Sequence, residues 1–123
     1  MSFQNTSGMI SLQPDSNMEA FVRVKLNGVY GSCTLAGADD EWCGVTQEAQ
    51  TLADGKPILV RLRNTPGTFL MRADGIIAIN APVYGEAATG RISASVVGAK
   101  NGFRSMEAAA VAGDVIECAP SRV

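Results

Sequence analysis

The sequence predicts one all-β domain, mainly antiparallel and closed as a small barrel or sandwich, with an extended N-terminal arm in front of it. Three observations lead there. Apolar and polar residues alternate over short stretches, as in VRVKL and ILVRLR. Turn signals built on Gly, Asn, Asp and Pro recur about every 8–12 residues, a spacing that favours a barrel or sandwich over alternating strand–helix units. A length of 123 residues with 46% hydrophobic content allows one core but not two, and describes a globular chain rather than a disordered one.

Residues 1–19, MSFQNTSGMISLQPDSNME, are rich in Ser, Asn and Gln, hold no Lys or Arg, and keep no helical or strand period over any length. They are expected to be an arm, and residues 20–123 the β-domain. The arm still carries Phe3, Met9, Ile10 and Leu12, more apolar groups than a solvated tail needs. From Ala20 the texture becomes β. AFVRVKL, the pair Asn27-Gly28 and VYGSCTL predict a hairpin of strands 20–26 and 29–35, because a type I′ turn takes two residues tolerant of positive φ. Val22, Val24 and Leu26 alternate with Phe21, Arg23 and Lys25, so the first set is expected to face the core.

An acidic loop follows, then a short strand near 43–46 and one helical turn through 47–52, ended by Asp54-Gly55. KPILVRLRN alternates again, with Ile58, Val60 and Leu62 on one side and Arg61 and Arg63 on the other, and Thr65-Pro66-Gly67 turns the chain. TFLMRA, Asp74-Gly75 and IIAIN predict a second hairpin, and APVYG a short edge piece. GRISASVVG is a further strand, Lys100-Asn101-Gly102 a turn, and SMEAAAV a bulged strand or a helical turn. GDVIECA closes the domain with Ile116 and Cys118 on one face. No fixed-period repeat shows.

The chain has no histidine, which removes Ser-His-Asp and Cys-His activation, His general bases and every zinc site that uses imidazole. Lys25, Lys56 and Lys100 stand in no Ser-x-x-Lys spacing. Asp39-Asp40-Glu41 is the most conspicuous acidic cluster, but three consecutive acids point different ways and the alternating ligands of a calcium loop are missing, so it reads as a solvated loop. Trp42, next to it, is either an interface anchor or a core residue. Cys33, Cys43 and Cys118 have neither metal-like nor redox-like spacing and read as free, packed thiols. A net charge of −2 without a basic face argues against nucleic acid, and no apolar run is long enough for a membrane span. No secretory signal pattern opens the sequence, so it is expected to be made in a reducing cytoplasm. Neither catalysis nor a cofactor is expected.

In GVTQEAQTLADGKPILVRL, ADGIIAINAPVYG and GDVIECA, preceded by an arm and a strand pair, the chain resembles the small head decoration, or capsid cement, proteins of tailed bacteriophages. Gly44-Val45-Thr46, residues 75–84 and residues 113–116 carry the likeness, within a span of about residues 20–119. The resemblance implies a β-barrel or β-tulip-like domain with at most one or two helical turns, bound to the outside of an icosahedral head. It implies a trimer at local threefold sites, contacting the major capsid protein, with residues 1–19 laid along the shell. Phe3, Met9, Ile10 and Leu12 are then the expected capsid contacts, at about 1.5–3 kcal/mol each when buried, and Trp42 a subunit contact. The function implied is mechanical: bridging capsid subunits against internal DNA pressure, with no small-molecule substrate. The alternative is a small β-barrel binding module for a ligand or a partner protein.

Overall fold

The short alternating stretches become ten strands in a computed structural model, which describes residues 7–38, 40–95 and 100–121. The first five are β1 (Met9–Pro14), β2 (Arg23–Leu26), β3 (Ser32–Leu35), β4 (Gly44–Thr46) and β5 (Ile58–Leu62). They close into a barrel in the order β1-β3-β2-β4-β5. The next five are β6 (Phe69–Arg72), β7 (Pro82–Gly85), β8 (Ile92–Ser93), β9 (Lys100–Ser105) and β10 (Val115–Pro120), a curled sheet in the order β6-β10-β9-β7-β8. Among these strands every ladder is antiparallel except that of β1 with β3. One 3₁₀ turn, Leu52–Asp54, is the helical content of the described residues, displaced from the turn expected at 47–52. The chain is all-β, as expected.

The arm is overturned in its second half. Residues 9–14 are β1, paired with β5 on one side and β3 on the other, and the barrel closes through them. The first hairpin forms with a longer turn than expected: Leu26 pairs with Cys33, and residues 27–31 lie between the strands. Asn27 organises that tip, its Oδ1 accepting the Val29 N–H at 3.1 Å and its Nδ2 donating to Ser32 Oγ at 2.9 Å. Asp74-Gly75 turns no hairpin, because β6 pairs with β10 and Ile77 bridges to Ala109. β7 is interior rather than an edge, Lys100-Asn101-Gly102 belong to β9, and of SMEAAAV only Ser105, the end of β9, and the bridge at Ala109 are paired, with neither a helical turn nor a bulged strand between. Leu26, assigned to the core face, is exposed, whereas Arg23 is buried.

The chain also contains a repeat that its residue pattern hides. The Thr46 hydroxyl accepts the Val22 N–H at 3.1 Å and donates to the Glu19 carbonyl at 2.8 Å. Fifty-nine positions later, the Ser105 hydroxyl accepts the Ala81 N–H at 3.0 Å and donates to the Ala78 carbonyl at 2.6 Å. The same offset carries the bridge Met18↔Gln50 onto Ile77↔Ala109, the parallel pair Pro14↔Cys33 onto Ala73↔Ile92, and Lys25↔Thr34 onto Tyr84↔Ser93. Thr46↔Val60 recurs as Ser105↔Cys118, with one residue fewer in the intervening loop. The non-glycine residues of positive φ correspond as well, Phe21 at 65° and Asn80 at 59°. Strands β1–β5 and β6–β10 are therefore two versions of one half.

The halves differ at one seam. In the first, the Gln13 N–H reaches the Gly31 carbonyl at 2.7 Å and joins β1 to β3. In the second, the corresponding Arg72 and Gly90 are bridged by residues 21–23 of the first half: the Arg72 N–H donates to the Phe21 carbonyl and the Arg23 N–H to the Gly90 carbonyl, each at 2.8 Å. Two core clusters result instead of the one expected. Leu12, Met18, Val24, Cys33, Ile58 and Val60 fill the first barrel. The second cluster, around Phe69, Met71, Phe103 and Ile116, also takes in Ala36, Trp42 and Val45 from the first half. Sharing that cluster is how a short chain supports two cores.

Candidate functional site

Of the expected capsid contacts, Phe3 lies outside the described residues. Strand pleating turns Leu12 and Ile10 inward, Leu12 fully buried and Ile10 packed on the same cluster, while Met9 faces out. Ile10 and Leu12 are core residues of the first barrel, not contacts. Trp42 is buried too, and is not a subunit contact: its ring lies 5.6 Å from that of Phe103 in the second core, with the Arg63 guanidinium 4.4 Å from its centroid. It seals the boundary between the halves, and its buried indole N–H has no hydrogen-bond partner.

That boundary is built around Arg23. β2 is covered on both sides, by the barrel interior and by the second half, so its outward residue is buried as deeply as Val22 and Val24. The guanidinium donates to four carbonyls: Gly37 at 3.3 Å, Ala36 at 3.3 Å, Arg91 at 3.2 Å and Glu86 at 3.4 Å. Burial pulls its pKa down to about 10, opposed by the charges of Asp40 and Glu86, so it stays cationic at neutral pH. Beside it, the Glu19 carboxylate accepts from Arg91 Nε at 2.9 Å and Nη2 at 2.7 Å, with Arg72 Nε at 3.9 Å. The hydrogen bond from Arg91 draws the Glu19 pKa below its ordinary value, against the opposing effect of burial. Arg72 donates to the Ala20 carbonyl at 3.0 Å and to the Gly113 carbonyl at 2.8 Å.

These groups join the two halves. Asp40 accepts from Lys25 at 2.8 Å and from the Gly37 N–H at 2.6 Å, and the Lys25 hydrogen bond lowers its pKa; Asp39 lies outside the described residues. Among the described residues no three His, Cys, Asp or Glu side chains are grouped to hold a metal ion, and no helix is long and apolar enough to cross a membrane. The three cysteines are free. Burial pushes the Cys33 thiol up to about 11 and the Cys118 thiol up to about 12, and raises that of Cys43, so they remain protonated and pack as small apolar groups.

One groove and the most exposed of the large apolar side chains lie at loops. A shallow groove of about 290 Å³ in the first half is lined by Asn17, Met18, Glu19, Ala49, Gln50, Thr51 and Asp54. At the matching positions of the second half, Asn17, Glu19, Gln50 and Thr51 are replaced by Ile76, Ala78, Ala109 and Ala110, so the polar side chains of this lining have apolar counterparts. Exposed Val29 and Tyr30 stand on the β2–β3 tip, and exposed Ile76 and Ile79 between β6 and β7. Sequence reasoning assigned all four to strands of predicted hairpins, and no local signal marks them as outward. No protein-family model and no curated protein matches this chain.

Proposed function

We propose that the protein is a structural component of a tailed-phage head. It is a decoration or cement protein seated on the outer surface of the capsid, bound to the major capsid protein and to copies of itself as a trimer at local threefold sites. The observation that carries this reading is where the large apolar side chains face solvent. Tyr30, Ile76, Val29 and Ile79 are 85%, 77%, 66% and 65% exposed, all on loops held out from paired strands. Exposed large apolar groups gathered on a loop mark a protein–protein contact surface on a small protein, and here two separate loops each carry such a pair. The residues of the resemblance coincide with part of it: residues 75–84 include Ile76 and Ile79 and run into β7, while Gly44-Val45-Thr46 is β4 and residues 113–116 lead into β10.

In this reading the protein works by binding, not by turnover, and attachment comes from the loops rather than from β1. Two halves locked through Arg23 and a shared core make a stiff unit, suited to bridging shell subunits under load. The test is co-expression with the head proteins of the same genome. The protein is expected to co-purify with assembled particles in a fixed ratio to the larger shell protein, and to raise the temperature at which those particles come apart. Particles that form without it, and never take it up when it is supplied in excess, overturn the proposal.

A further inference from the structure

We infer that copies of this chain associate head to tail, the face at residues 76–82 of one copy's second half docking on the tip at residues 27–32 of the next copy's first half. The inference starts from the joint inside the chain. There the first half presents residues 19–23, and the second half presents its β7–β8 tip, residues 86–91, with Arg72 beside it. The contacts are Arg23 N–H to the Gly90 carbonyl, the Arg23 guanidinium to the Glu86 and Arg91 carbonyls, and Glu19 to Arg91 and Arg72. Two different faces meet, so the joint is heterologous. Each half, being a version of the other, carries both faces, and the joint uses one from each.

The two faces left over are exposed and correspond position by position. The counterpart of residues 19–23 is 78–82, where Ala78, Ile79 and Asn80 face solvent; the counterpart of 86–91 is 27–32, where Val29, Tyr30 and Gly31 do. Gly90 is pressed against the first half, and a Cβ there would fall 2.6 Å from the Arg23 carbonyl oxygen. Gly31 has nearly the same φ, 78° against 75°, and nothing within 4 Å of the same point. An occupied contact point in one half stands open in the other.

The chemistry of the two open faces has also changed in step. Glu19 becomes Ala78 on one face, and its partners Arg91 and Arg72 become Ser32 and Gln13 on the other, so neither side keeps half of that ion pair. In exchange Asn17 and Ala20 become Ile76 and Ile79, while Ala88 and Thr89 become Val29 and Tyr30. An ion-paired joint has an apolar counterpart whose two sides match, as meeting surfaces require. One element is not copied. The first barrel's seam is already closed by Gln13 and Gly31, and Pro82 in place of Arg23 has no N–H to donate, so this contact is side chain on side chain without an inserted segment. Repeated heterologous contacts close as a ring or grow as a filament, and closure after three copies is a trimer. No shell is needed for it.

The experiment is sedimentation of the full chain with Ile79→Glu and Tyr30→Glu, each checked for an unchanged melting curve. The native chain is expected to associate with rising concentration, and each variant to weaken association at least about tenfold. An equimolar mixture of the two variants is expected to give one-to-one dimers and nothing larger, because each copy keeps one intact face. A native chain that stays monomeric up to about 100 µM, variants that associate as the native chain does, or a mixture that stays monomeric would each overturn the inference.

Discussion

Gly31 and Gly90 hold nearly the same left-handed backbone in opposite surroundings, one in open space and one against the Arg23 carbonyl. Alanine at Gly31 meets only the strain of positive φ, about 1 kcal/mol. Alanine at Gly90 adds a clash with backbone that cannot swing away, and is expected to cost at least about 2 kcal/mol more in urea denaturation. Equal losses would mean that the halves are not in contact there. Glu19 gives a second expectation, in pH. Its folded pKa is drawn below the ordinary 4.5 by Arg91, so the stability it contributes is present above that value and disappears as pH falls through the folded pKa. The gap between the native chain and Glu19→Gln is therefore expected to be largest near neutrality, less than about 1 kcal/mol for so exposed a pair, and to close in acid. A gap that is unchanged across a pH series of melts would contradict it. Arg23 shows why this site was not legible in the sequence: alternation correctly placed it opposite Val22 and Val24, but nothing local says that a second half covers the outer face.

At the scale of elements, β1 carries the largest correction. Its alternation is real, Ile10, Leu12 and Pro14 inward against Met9, Ser11 and Gln13 outward, but it spans only three pairs and is diluted by polar neighbours. Deleting residues 1–14 removes the partner of both β3 and β5 and uncovers Ile58 and Val60. The truncated chain is expected to lose its cooperative transition or to melt more than about 10 °C lower, by circular dichroism. An unchanged melting curve would restore the arm. The two predicted hairpins make the complementary point. Asn27-Gly28 and Asp74-Gly75 carry the same turn chemistry, yet only the first joins neighbouring strands, because β6 takes its partner from β10, with Phe69 opposite Cys118. Turn residues report where a chain bends, and pairing across that distance is decided by which faces need burial.

For the whole molecule, the class was legible because alternation and turn spacing are local properties, and the doubling was not because the halves conserve roles more than residues. Thr46 and Ser105 share a hydroxyl, and Gly31 and Gly90 a backbone conformation, but Arg23 corresponds to Pro82 and Phe21 to Asn80. A comparison of letters sees little, whereas a comparison of hydrogen bonds sees the repeat at once. The exposed loops escaped for a related reason: Ile76 and Ile79 lie in an apolar run that reads as a strand, and only the bridge of Ile77 to Ala109 shows that Ile77 is held inward while its neighbours face out.

The segment that residues 21–23 lend to the second half gives the polypeptide a direction. The first half leaves the ribosome ahead of β6, so the strip that fills the gap between Arg72 and Gly90 is made and exposed before its recipient is. Encoded in the reverse order, the second half would leave the exit tunnel with that gap unfilled and its backbone groups unpaired, open to any passing strand edge. Two halves of one architecture are thus not interchangeable in the gene: the earlier one is template as well as twin.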